Sequence, residues 1–99
     1  MFSITEHVDE GAVVLVVHGS LDLANAPALL ARGRRVLANS GRLTLDLADV
    51  DVLDAIGIGV LLGLRRAAVN SDGELGLVAS SAAVDASLTS HGVAHLLTI

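Results

Sequence analysis

Short runs with the two-residue period of a β-strand alternate along this chain with longer stretches of helical periodicity, and this alternation constrains the fold most. Residues 12–19, AVVLVVHG, form a β-branched run that is typical of a buried strand. In residues 42–47, RLTLDL, the leucines recur at every second position and lie on one face of a strand. Residues 74–79, ELGLVA, indicate a further strand, and residues 3–8 predict a strand that forms a hairpin with residues 12–19.

The first predicted helix follows the hairpin. Asn25 is expected to cap it, Pro27 fits its first turn, and the helix is expected to end near Asn39, before Gly41. Its apolar residues form one stripe along the helix: Leu29, Leu30, Val36 and Leu37. Its arginines lie on the other faces: Arg32, Arg34 and Arg35.

The second predicted helix begins near Ala55, with Asp54 as its N-cap, and ends near Asn70. Residues 48–54, which precede it, are expected to form a short connection that can include an extended segment.

A third helix is predicted at the end of the chain. Ser80 or Ser81 is expected to cap it, it ends near Ser90, and Gly92 is its C-terminal stop. The tail, VAHLLTI, is expected to add a short helix or strand.

A hairpin followed by helix, strand, helix, strand and helix predicts an α/β fold with one small mixed β-sheet and helices packed against it. We expect one domain over residues 1–99. Because aromatic residues make up 1% of the chain and hydrophobic residues 53%, aliphatic side chains and alanine must fill the core.

Charge and composition narrow the functional classes. The formal net charge is −5, with 11 acidic and 6 basic residues, which argues against direct binding of nucleic acid. The chain has no cysteine and no visible secretory signal, and its apolar run over residues 55–64 is shorter than the ~20 residues of a membrane-spanning helix. These features predict a soluble, cytoplasmic protein without membrane insertion.

Four aspartates fall within nine residues, at Asp46, Asp49, Asp51 and Asp54. Carboxylates in such a group can hold a hard cation or do acid–base chemistry. We favour the simpler interpretation that Asp54 caps a helix and the others keep a loop solvated, because no nearby histidine or other polar partner orients them.

The histidines and glycines give no motif of a metal or nucleotide site. His91 and His95 have the spacing of a helical zinc pair, but Gly92 lies between them at an expected helix end. Gly57, Gly59 and Gly63 lack the spacing of a dinucleotide or phosphate loop. We expect Gly59 and Gly63 to let their helix lie close on the sheet.

The chain has neither a cysteine nor a Gly-x-Ser-x-Gly elbow that could supply a nucleophile. The sequence therefore predicts a binding module, without catalytic residues, metal or cofactor, rather than an enzyme. An exposed Ile56 and Ile58 would also allow a homo-oligomer.

From about Val13 to Ile99, the chain resembles a STAS domain of the anti-sigma factor antagonist family. The resemblance rests on GSLDLANAP, on LTLDLADVDVLDAIGIGVLLGLRRA, on GELGLV and on LTSHGVAHLLTI. It implies a protein that regulates transcription by binding an anti-sigma factor of the serine-kinase type, which phosphorylates a Ser or Thr in the motif Asp-Ser-Ser/Thr-Gly.

At that motif this chain has Asp54, Ala55, Ile56 and Gly57, so Ala55 occupies the phosphoacceptor position and brings no hydroxyl. The resemblance places partner contacts at Asp22, Asp54, Ala55, Ile56 and Gly57. Ala55 then either imitates the unphosphorylated state, or belongs to a degenerate module for another partner, such as a transporter-associated or ligand-sensing complex. Ser20 is a further candidate acceptor, in a loop expected to lie beside the helix start.

Overall fold

The computed structural model describes residues 1–97 as a layer of helices packed on a β-sheet, with a short helix at one edge. In chain order the elements are β1 (Ser3–Asp9), β2 (Ala12–Leu21), α1 (Ala26–Ser40), β3 (Arg42–Leu53), α2 (Ala55–Asn70), β4 (Glu74–Ser80), α3 (Ala82–Ser90) and a 3-10 turn (Ala94–Leu96).

The sheet has four strands in the order β1-β2-β3-β4. Strands β1 and β2 pair antiparallel across a tight turn, in which Glu10 and Gly11 both have positive φ. Strands β2, β3 and β4 are parallel, so helices return the chain across the sheet between them. The α/β class, the mixed sheet and the N-terminal hairpin are confirmed.

Strands β2 and β3 are longer than the sequence predicts. Their pairing continues from Gly19 and Val50 to Leu21 and Leu53, so most of residues 48–54 is strand rather than connection. Two register shifts interrupt this pairing. A bulge breaks the two-residue alternation, which is why the burial period of the second half of β3 is not visible in the sequence.

The core lies between the sheet and the layer formed by α1 and α2. The predicted leucine face of β3 is confirmed, because Leu43, Leu45 and Leu47 are almost fully buried. The two helices contact each other directly, since a Cβ at Gly33 of α1 would lie 2.6 Å from Leu64 of α2.

Helix α3 covers the part of β3 that extends past the end of β4. The Ser81 hydroxyl donates to the Val50 carbonyl at 2.5 Å, and the Ser87 hydroxyl donates to the Leu53 carbonyl at 2.6 Å. These contacts satisfy strand carbonyls that have no neighbouring strand there. Ser81 is also the N-cap of α3, because its hydroxyl accepts from the Val84 amide.

Three local predictions were wrong. Asn25 does not cap α1 with its side chain, which instead donates to the Ser20 carbonyl at 3.0 Å. Gly59 has nothing within 4 Å of its added Cβ, and the nearest atom to that of Gly63 is Leu30 Cδ1 at 3.7 Å, so neither allows a close approach to the sheet. These outcomes depend on neighbours distant in sequence, which periodicity does not reveal.

The C-terminal expectations hold where the structure describes the chain. Helix α3 ends at Ser90, Gly92 has a φ of 71°, and the tail forms a 3-10 turn over Ala94–Leu96. Residues 98 and 99, the end of the predicted tail element, lie outside the described residues.

Candidate functional site

The start of α2 is the best-defined local feature at the carboxyl ends of the strands. Asp54 has an extended backbone, and its carboxylate accepts from the Gly57 amide at 2.9 Å. The predicted cap is therefore confirmed. The first amides of a helix have no acceptor within the helix, and a cap of this kind supplies one. It therefore fixes where the first turn, with Ala55 and Ile56, begins.

The end of β2 lies directly against this helix start. The Asp54 amide donates to the Leu21 carbonyl at 3.3 Å, and that carbonyl oxygen would be 2.4 Å from a Cβ at Gly57. The segment that contains Ser20 and Asp22 does lie beside the start of α2, but Ser20 belongs to strand β2, where it pairs with Val52, rather than to a loop. Glycine is required at 57 because any side chain would enter the space of the strand backbone.

This packing decides which residues of the first turn face solvent. Gly57 is buried, whereas Ala55 is exposed and Ile56 keeps 46% of its surface exposed. Ile58 is only 5% exposed, so the prediction of two exposed isoleucines is wrong for this residue. The reason is helical geometry, since Ile58 lies on the same side of α2 as the core residue Leu61.

Asp22 shapes the loop between β2 and α1. Its carboxylate accepts from the amides of Ala24 and Asn25 at 3.1 and 3.2 Å, and its carbonyl accepts from the Ala26 amide at 2.8 Å. The Asp22 carboxylate therefore closes the loop before α1, but it accepts from no amide of the helix itself and does not replace the side-chain cap predicted at Asn25. Between these contacts Leu23 projects outward with 71% of its surface exposed.

Three large apolar side chains are exposed at the ends of β2 and β3 and the start of α2, and we call them the apolar tip: Leu23, Val52 and Ile56. Sequence reasoning selected only Ile56. The sequence did not indicate Val52, because the register shift in the β2–β3 pairing breaks the alternation that would have placed its side chain.

The aspartates of β3 have defined partners on β2. Asp49 lies 3.0 Å from Nδ1 of His18, and Asp51 accepts from the Ser20 hydroxyl at 3.1 Å. The assumption that no histidine or other polar partner orients these acids is wrong for Asp49 and for Asp51, because the pairing of β2 and β3 brings His18 and Ser20 beside them. Within residues 1–97 no three His, Cys, Asp or Glu side chains gather as a metal site would need.

A cavity of about 200 Å³ lies elsewhere, between α2 and β4. Its walls are mainly leucines, among them Leu45, Leu61 and Leu77, with Arg65 at its margin. It shares no residue with the apolar tip or with the first turn of α2. Among the described residues, no helix is both long and apolar enough to cross a membrane.

Comparison with known proteins gives a family and a set of structural relatives. The STAS domain family matches residues 3–99. No curated protein matches the sequence. An anti-sigma factor antagonist from Mycobacterium paratuberculosis superposes with a TM-score of 0.84 at 24% identity, covering 98% of this chain and 83% of the other.

Two structures of the antagonist SpoIIAA are also similar. The unphosphorylated form has a TM-score of 0.77 at 19% identity and covers 99% of this chain and 86% of its own. The phosphorylated form, from Bacillus, has a TM-score of 0.71 at 18% identity, with 99% and 89% covered. At these identities the likeness establishes the shared fold.

Proposed function

The chain belongs to the STAS domain family, and we propose that it acts as an anti-sigma factor antagonist: a non-catalytic module that binds an anti-sigma factor of the serine-kinase type. The proposed contact surface is the start of α2 with the loop after β2. Structural similarity to anti-sigma factor antagonists supports this assignment.

The observation that carries the proposal is the exposed, hydroxyl-free first turn of α2. Asp54 caps the helix, and Ala55 follows it at the first helical position with its methyl group exposed. No residue from Asp54 to Gly57 has a hydroxyl group. A phosphoryl group here would add about two negative charges beside a carboxylate, and Ala55 keeps this surface permanently without them.

The five proposed site residues have different roles in this surface. Ala55 and Ile56 offer the direct apolar contact, and Asp22 holds the loop that presents Leu23 beside them. Asp54 fixes the start of the helix, and buried Gly57 lets the helix approach Leu21. Gly57 therefore positions the surface without contributing exposed area.

The proposal is tested with Ala55→Ser, Ala55→Asp and a matched control, Ala31→Asp, which adds the same charge at an exposed alanine of α1. Each protein is titrated against candidate anti-sigma factors of the kinase type, with and without ATP. We expect the native chain and the control to bind in both conditions, Ala55→Ser to be released by ATP, and Ala55→Asp to bind weakly throughout.

Two results would contradict the proposal. One is that no candidate factor binds the native chain or Ala55→Ser. The other is that Ala55→Asp binds as tightly as the native chain, which would place the contact elsewhere.

The same incubation tests Ser20 as a substitute phosphoacceptor. Its hydroxyl is engaged by Asp51, so a phosphoryl group at Ser20 would meet a carboxylate at close range. We expect the mass of the native chain to stay unchanged after incubation with kinase and ATP, and that of Ala55→Ser to increase by one phosphoryl group.

A further inference from the structure

Positive and negative charges are segregated in this protein. Helices α1 and α2 contain five of the six basic residues and no acidic residue. All 11 acidic residues lie in the strands, the connecting segments and α3. The net charge of −5 therefore combines a basic helix layer with a strongly acidic remainder.

Four of the helix arginines lie at about the same height along the axes of α1 and α2. Gly33 of α1 packs against Leu64 of α2, which fixes how the two helices align. Two arginines directly follow each of these residues in sequence, and all four are exposed. We call this group the arginine belt: Arg34, Arg35, Arg65 and Arg66.

The belt has no acidic counterpart on its own layer. The fifth helix arginine, Arg32, pairs with Glu6 at 2.9 Å, and Arg42 at the start of β3 lies 3.6 Å from Glu74. Within residues 1–97 these are the arginine ion pairs, and neither involves a belt residue. Among the described residues, the belt guanidinium groups therefore have no ion-pair partner.

An acidic surface lies at the other end of the same helices. Both helices start at the carboxyl ends of the strands, and the belt falls in their second halves. Four aspartates lie in the second half of β3 and in the segments that lead into the two helices, and we call them the acidic end: Asp22, Asp49, Asp51 and Asp54. Asp22 and Asp54 are half-buried and accept from backbone amides, whereas Asp49 and Asp51 are exposed and contact His18 and Ser20. The acidic end accompanies the exposed side chains of the apolar tip.

We propose that the arginine belt binds the acidic end of a second copy of this chain. One molecule carries both the basic surface and the acidic surface, but the two lie too far apart along the helices to contact each other within one copy. At physiological ionic strength charges interact over only about 8 Å, so local complementarity outweighs the repulsion between the net charges. This association does not depend on the proposed anti-sigma partner.

The contact is head-to-tail. A pair of copies joined in this way still presents one free belt and one free acidic end, so assembly is open-ended rather than limited to a symmetric dimer. Because the acidic end surrounds the apolar tip, a copy bound there also covers Ile56. Self-association and binding at the start of α2 would then exclude each other.

The test is sedimentation velocity over a range of protein concentrations at a low salt concentration of ~0.15 M and at high salt. The native chain is compared with a belt variant, Arg34→Gln/Arg66→Gln, and an acidic-end variant, Asp49→Asn/Asp51→Asn, in which the charges are removed rather than reversed. A control, Asp9→Asn/Glu10→Gln, changes the net charge as the acidic-end variant does, but at the β1–β2 turn. Circular dichroism confirms that each variant is folded.

We expect the native chain and the control to form larger species as concentration rises at low salt, and to lose them at ~1 M salt, where the screening length is about 3 Å. Each interface variant alone should have a dissociation constant raised about tenfold or more. A mixture of the two variants should form a one-to-one pair and nothing larger, because only one complementary contact remains.

The proposal is overturned if the native chain stays monomeric at low salt, if association survives high salt unchanged, or if the mixed variants stay monomeric. Binding of the belt variant to an anti-sigma factor is measured in parallel. The belt lies away from the start of α2, so the two proposals fail in distinguishable ways. If only the self-association proposal fails, the anti-sigma factor still binds; if only the proposed function fails, the native chain still self-associates.

Discussion

Replacing Gly57 by alanine should destabilise the protein, whereas the same replacement at Gly59, two positions later on the same helix, should stabilise it. Both glycines lie in α2, where alanine is favoured over glycine by up to about 1 kcal/mol. At Gly59 an added Cβ meets nothing within 4 Å, so the protein should gain about 0.5 to 1 kcal/mol.

At Gly57 the added Cβ would lie 2.4 Å from the Leu21 carbonyl oxygen and 2.7 Å from Leu53 Cδ1. The first obstacle is backbone, which cannot rotate away as a side chain does. Overpacking of this kind costs about 1 to 3 kcal/mol. After the gain in helix propensity, we expect a net loss of about 1 to 2 kcal/mol.

Thermal and urea unfolding of the two variants measure the difference. One kcal/mol shifts the midpoint of a domain this size by about 4 to 8 °C, so the two midpoints should move in opposite directions from the native value. The slope of the urea transition should stay constant, because both variants expose the same surface on unfolding. If Gly57→Ala raises the midpoint as Gly59→Ala does, the close packing of α2 on β2 is refuted.

Three further changes test the structural contacts around the site. Asp54→Ala should cost about 1 kcal/mol of stability by removing the cap, while Asp54→Asn should retain most of it; equal losses in urea unfolding would argue against the cap. Ser87→Ala should cost about 1 kcal/mol through its lost hydrogen bond to β3. Ser90→Ala should change stability little, because its exposed hydroxyl contacts only the Ser87 carbonyl and the neighbouring His91 ring. Gly19→Ala should lower the thermal midpoint most, because φ is 97° and its Cβ would lie 2.3 Å from the Met1 carbonyl; a native-like midpoint would show that these terminal residues do not pack there.

The order and type of the elements were predictable because they depend on local patterns. A strand face repeats every two residues, and a helix cap involves residues three positions apart, so Asp54 and Ser81 could be selected from the sequence. The absence of a hydroxyl at Ala55 and Ile56 is likewise a property of the sequence alone.

The composition of the candidate surface was less predictable. Leu23 and Val52 join Ile56 there because the loop after β2 turns outward at Asp22 and because a register shift reorients the end of β3. Neither event leaves a periodic signal. His18 was not connected with Asp49 because strand register, rather than sequence distance, brings their side chains together.

The sequence by itself determined which elements form, that Asp54 caps α2, and that the first turn of α2 offers no hydroxyl. Only the tertiary structure decided that Gly57 and not Gly59 is tightly packed, and that four arginines from two helices share one level. Caps and periods arise from neighbours within a few residues of one another. Close packing and charge clustering depend on how separate elements align, and here the contact of Gly33 with Leu64 sets that alignment.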